Sequence, residues 1–147
     1  MTNERILQTA KVALRLALSA AFVSAVADRF GLYGRPGTPG VSWGDWPNFL
    51  QYVAHLNWFM PKAIIPILGV VETIVESTLA VALLAGFYQR IIAWASATLL
   101  MSFALTMSVD GIKAPLDYGV FTAVAAAVLL GAVAKSHSAQ RSGETPR

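Results

Sequence analysis

Two glutamates, Glu72 and Glu76, stand four residues apart inside an otherwise apolar stretch. At that spacing both carboxyls leave the same face of a helix. Acids paired in this way can hold or relay a proton, or take hydrogen bonds from a ligand. A charged carboxylate at the centre of a bilayer costs at least about 2.5 kcal/mol, so such groups must face a bundle interior, be paired, or carry a proton.

Partners can be nominated by depth. With Lys62 at the outer boundary and about 1.5 Å of rise per residue, Glu72 lies roughly 15 Å down and Glu76 roughly 21 Å down. Arg15, in the first apolar stretch, falls at roughly 25 Å, within a guanidinium's reach of Glu76. Thr98, Ser102 and Thr106 recur every fourth residue in the third stretch, with Thr98 near the level of Glu76 and Ser102 near that of Glu72. The candidate site is therefore Glu72, Glu76, Arg15, Thr98 and Ser102. The competing reading is an ion pair and hydrogen-bond network that only fixes helix register, with the hydroxyls bonded to their own backbone.

Composition demands the membrane that this reasoning assumes. Of 147 residues, 56% are hydrophobic and 13% charged, against roughly 25% charged in an average soluble domain. The mean hydropathy is +0.58. Four stretches approach the roughly 20 apolar residues needed to cross a hydrocarbon core: 12–30, 62–87, 91–109 and 118–134. The expected fold is all-α, an integral membrane four-helix bundle spanning 1–134, followed by a disordered tail over 135–147.

Sidedness follows from the cations. Arg5, Lys11, Arg15, Arg90, Lys135, Arg141 and Arg147 fall on one side, and Arg29, Arg35, Lys62 and Lys113 on the other. That excess puts both termini in the cytoplasm. The apolar run 16–23 followed by Ala25, Val26 and Ala27 imitates a cleavable leader, but Arg15 interrupts it, and a retained first helix is expected. No basic cluster with interleaved aromatics suggests a nucleic-acid partner.

Cysteine is absent, which excludes a thiol nucleophile, a disulfide or an iron–sulfur cluster in this subunit. The two histidines, His55 and His137, lie outside the apolar stretches, so an intramembrane haem held by two histidines is excluded as well. No metal site is expected.

Between the first two stretches, the segment from Gly31 to Gly40 is too rich in Gly and Pro for a regular element. Asp45 can then cap a helix with Pro47 in its first turn. Along it Trp46, Phe49, Leu50, Val53, Leu56 and Met60 recur at helical spacing, with Asn48, Gln51 and His55 opposite. This predicts an extracytoplasmic amphipathic helix at the headgroup level that can roof the bundle or merely anchor it. Asp28, Arg29, Asp117 and Tyr118 fall at interfaces, where charge is tolerated, and are expected to be structural. Gly119, Ala123, Ala127 and Gly131 form a small-residue stripe for close packing.

The chain resembles the DoxX family (DoxX/DoxD-like small four-helix membrane proteins) over residues 11–134. The likeness rests on Leu14, Arg15 and Leu16; on Asp28, Arg29 and Phe30; on Gly69 and Glu72; and on Lys113, Ala114, Pro115, Leu116, Asp117 and Tyr118. It implies a bacterial or archaeal inner-membrane protein associated with a quinone- or thiol/sulfur-linked redox complex. Quinone is the implied cofactor, none being covalently bound, and redox subunits are the implied partners. Lacking cysteine, the chain would need a partner to supply reactive sulfur. The alternative is a non-enzymatic membrane scaffold or assembly partner with a purely structural polar core. A solute transporter is disfavoured, because no inverted repeat is visible and Pro66 offers only a mild helix disturbance.

Overall fold

The computed structural model describes residues 3–134. The expectations for the tail over 135–147 and for His137 lie outside the described residues. The described part is all helical: α1 (Asn3–Arg29), α2 (Trp46–Leu56), α3 (Ile65–Ala85), α4 (Gln89–Met107), α5 (Lys113–Asp117) and α6 (Val120–Val133). Single 3-10 turns, Lys62–Ile64 and Ser108–Asp110, lead into α3 and out of α4.

Three segments are long and apolar enough to cross a membrane: Asn3–Arg29, Lys62–Ala85 and Gln89–Asp110. The first begins well before residue 12, because the polar start Asn3–Lys11 continues the same helix. The final helix, α6, is shorter than the stretch 118–134. Gly119 adopts a left-handed conformation and starts α6 afresh, leaving fourteen residues, or roughly 21 Å of helix.

The helices associate as two pairs. α1 lies along α3 and α4 along α6, while contact between the pairs is sparser. Leu18, Phe22, Leu79, Leu83, Leu100, Val124 and Leu130 form the joint core. The small-residue stripe works by close approach at its inner part. Ala127 is fully buried, and a Cβ on Gly131 would sit 3.0 Å from the Trp94 indole nitrogen.

At the Gly86 end of α3, Arg15 binds backbone and not Glu76. Its Nε donates to the Leu83 carbonyl at 2.7 Å, and Nη2 to the Leu84 carbonyl at 2.7 Å. These carbonyls belong to the last turn of α3, which has no helical N–H left to satisfy them. Gly86 ends α3 at φ +77°, and a Cβ there would lie 2.5 Å from the guanidinium. Glycine is thus needed both for the left-handed turn and to admit Arg15. Arg15→Ala is expected to lower stability by about 2 kcal/mol, the scale of a charge-assisted hydrogen bond, read as an earlier unfolding midpoint in detergent.

α2 starts where its cap predicts, but it ends at Leu56, a turn short of Met60, which lies outside the helix. Asp45 Oδ1 accepts from the Asn48 N–H at 2.8 Å, and Phe49, Val53 and Leu56 are buried. Gly69 sets the closeness of its docking on α3. A Cβ at that position would stand 2.6 Å from Leu50 Cδ2 and 3.2 Å from Phe49 Cε1.

Candidate functional site

The cation that meets the two glutamates is Arg29, the last residue of α1. Arg15 fixes the register of α1 against α3 near Leu83, and fourteen residues of helix separate it from Arg29, roughly 21 Å of rise. The same height on α3 falls near Gly69. From there the Arg29 side chain reaches down the helix by one to two turns.

Its contacts are dense. Nη1 donates to Thr73 Oγ1 at 2.8 Å. Nη2 donates to Glu76 Oε1 at 2.9 Å and to Glu72 Oε1 at 3.2 Å. Glu76 Oε2 also lies 2.8 Å from Nη2, but without hydrogen-bond geometry. Thr73 passes the bond on to the Gly69 carbonyl at 2.8 Å. Above the guanidinium, the Phe49 ring centroid is 4.1 Å from Cζ and that of Trp43 is 5.5 Å away. Both are within the range of cation–π attraction, which strengthens where water is excluded. The roof helix therefore seals the ion cluster with an aromatic ring.

The two acids are not equivalent. The Glu76 side chain is 2% exposed and the Glu72 side chain 24%. Glu76 is locked into the cluster, whereas Glu72 makes one longer bond and presents itself to open space. That space is a cavity of about 1230 Å³ bounded by α1, α2, α3, α4 and the start of α6. Asn48, Gln51 and His55, the polar face of α2, line its upper part, together with Tyr52 and Glu72. Leu68, Val71, Val75, Leu99 and Phe103 line it elsewhere.

Asp28, next to Arg29, is buried and ties down the outer loop: its Oδ2 accepts from the Ser42 and Trp43 N–H groups, each at 2.9 Å. This holds the Trp43 ring over Arg29. At the mouth, His55 Nε2 lies 2.7 Å from Asp110 Oδ1 and links the roof to the outer end of α4.

Tyr52 is half-buried beneath that link. Burial pushes its phenol up to about 12, with the negative charges at Asp110 and Glu72 among the lesser causes. The folded state thus holds this proton more tightly than the unfolded chain, whose phenol titrates near 10. The stabilisation is complete below the unfolded value and is lost as pH rises through the folded one. A spectrophotometric titration is expected to show one tyrosine ionising late, an inflection that Tyr52→Phe removes.

Of the five candidate residues, Glu72, Glu76 and Ser102 line the cavity. Ser102 nevertheless donates to the Leu99 carbonyl at 2.7 Å. Thr98 is exposed, donates to the Trp94 carbonyl at 3.0 Å, and is not part of the lining. Arg15 sits at the Gly86 end of α3. The hydroxyl ladder therefore serves its own helix backbone, and Arg29 holds the place given to Arg15. The signal for Arg29 was available in Asp28–Arg29 at the end of an apolar helix, but equal starting depths for the two helices hid it. The segment from Lys62 to Gly69, the 3-10 turn and the start of α3, stands above the end of α1, where it receives α2.

Among the described residues no group of three or more His, Asp or Glu could hold a metal ion. No family model matches the chain, and no curated protein or solved structure matches it.

Proposed function

We propose that the chain is an integral membrane protein of four crossings, DoxX-like in organisation, that binds a quinone-class ligand as a subunit of a redox complex. α6 with its flanking residues makes the fourth crossing. The excess of cations at the inner ends then orients both termini to the cytoplasm and α2 to the outer face.

One observation carries this reading. Glu72, a carboxyl reachable from a large, mainly apolar cavity, is held within a helix apolar enough to cross a membrane by a cation it shares with a second acid. An isoprenoid quinone is apolar except for two ring oxygens, and ligand sites of this kind combine apolar walls with a few convergent polar groups.

The residues present fit such a head group. Tyr52 lines the cavity with a phenol that is protonated, and so a hydrogen-bond donor, at physiological pH. His55, Asn48 and Gln51 add polar groups on the same roof. Glu72 stands where a proton could be given to or taken from a ring oxygen. When bound, the quinone supplies two-electron redox chemistry, and the chain's residues position it and handle protons. The chain has no cysteine, so any thiol chemistry coupled to the quinone belongs to a partner subunit.

The alternative is a scaffold whose ion cluster only joins α1 to α3. What favours it is the tying of Arg29 to both Thr73 and Glu76 on α3. Titrating the protein in lipid nanodiscs with a tail-less benzoquinone separates the two. Saturable quenching of Trp43, which lines the cavity, is expected, and Trp43→Phe should remove most of it. Purely linear, collisional quenching would sink the binding reading.

A further inference from the structure

The polar groups under the roof use only the upper part of the cavity. Its volume of about 1230 Å³ exceeds the roughly 300–1,000 Å³ of pockets that enclose a whole drug-sized ligand. A ring head group leaves most of it unfilled.

The remaining space runs between α3 and α4. These helices are joined at their inner ends by the turn Gly86–Tyr88, yet they touch sparingly, because α3 is held by α1 and α4 by α6. Away from that turn, residues of both helices line the cavity. The walls of the cleft between them are Val71 and Val75 on α3 and Leu99 and Phe103 on α4, all apolar and all on the cavity lining. Val71 is 51% exposed and Val75 37%, so this wall of α3 is uncovered.

We infer that this cleft is the passage for the ligand's hydrocarbon tail, so that the ligand enters sideways from the bilayer and not through the polar mouth at His55. The inference rests on the quinone reading and adds the route and the residues that serve the tail. Continuity decides the occupant: Glu72 and the residues of the cleft line one and the same cavity. In a membrane a tail gains little by leaving lipid for an apolar wall. The cleft therefore governs access and adds little affinity.

The test compares a tail-less benzoquinone with its decyl-tailed analogue in nanodiscs, after correction for partitioning. The wild-type chain is expected to bind the two comparably. In Val71→Trp with Val75→Trp, whose new rings fill an already uncovered wall, decyl-quinone binding should fall by about tenfold or more. Tail-less binding should fall by much less, so that the two ligands separate by about tenfold. A decyl quinone with a photoactivatable group at the end of its tail should label residues 65–85 and 89–107. Equal binding of both ligands by the double variant, or labelling confined to residues 30–45, overturns the lateral passage alone. A wild-type chain that binds neither ligand overturns the quinone reading and this one with it.

Discussion

Replacing Arg29 with methionine is expected to destabilise the protein by about 3–5 kcal/mol, the cost of removing one partner from a buried ion pair. Methionine keeps the length and packing of the side chain but leaves Glu72 and Glu76 facing each other and Thr73 without its donor. Phe49 and Trp43 also lose the cation beneath them, so the roof should loosen together with the α1–α3 contact. Arg29→Lys keeps the charge but not the fork that reaches Thr73 and both acids at once, and should recover only part of the loss. Combining Arg29→Met with Glu72→Gln and Glu76→Gln removes charge from every member, and should be less destabilised than Arg29→Met alone. Denaturant midpoints in detergent order the four proteins. A wild-type-like midpoint for Arg29→Met would show that the cluster contributes nothing to the fold.

Much of the architecture was legible because the strongest signals were local. The cap at Asp45, Pro47 in the first turn and the spacing of Phe49, Val53 and Leu56 are contained in a dozen residues, and the structure reproduces α2 from them. Apolar length likewise located three helices able to cross a membrane. The inward orientation of Glu76 followed from the cost of burying a carboxylate in oil.

The partner of the glutamates was not legible in the same way, because relative helix height is a tertiary quantity. Two antiparallel helices can slide along each other without any change in their own patterns. Here the slide is set by Arg15 on the last turn of α3 and by the fit of Phe49 and Leu50 over Gly69. Neither contact shows as a period in either helix. Thr98, Ser102 and Thr106 misled for a related reason. Their spacing matches a helix face, but a hydroxyl in a helix can bond to its own backbone three or four residues earlier, and all three do so.

The contrast between Glu72→Gln and Glu76→Gln separates ligand chemistry from scaffolding. Glu76 is enclosed and holds Arg29 with both oxygens within 2.9 Å. Its amide would leave the guanidinium with one weaker acid, and the loss is expected to approach about 3 kcal/mol. Glu72 has a quarter of its side chain exposed and a single 3.2 Å contact; its amide keeps a carbonyl oxygen for that contact, and stability should change by no more than about 1 kcal/mol. Ligand binding should show the reverse order. The carboxyl that faces the cavity is Glu72, so Glu72→Gln should weaken tail-less quinone by about tenfold or more. Folded Glu76→Gln should retain most of the affinity. If both amides lose stability in parallel and neither alters binding, the pair is a brace between α1 and α3. If only the exposed acid controls binding, the cluster is a brace whose outer member is turned toward a ligand.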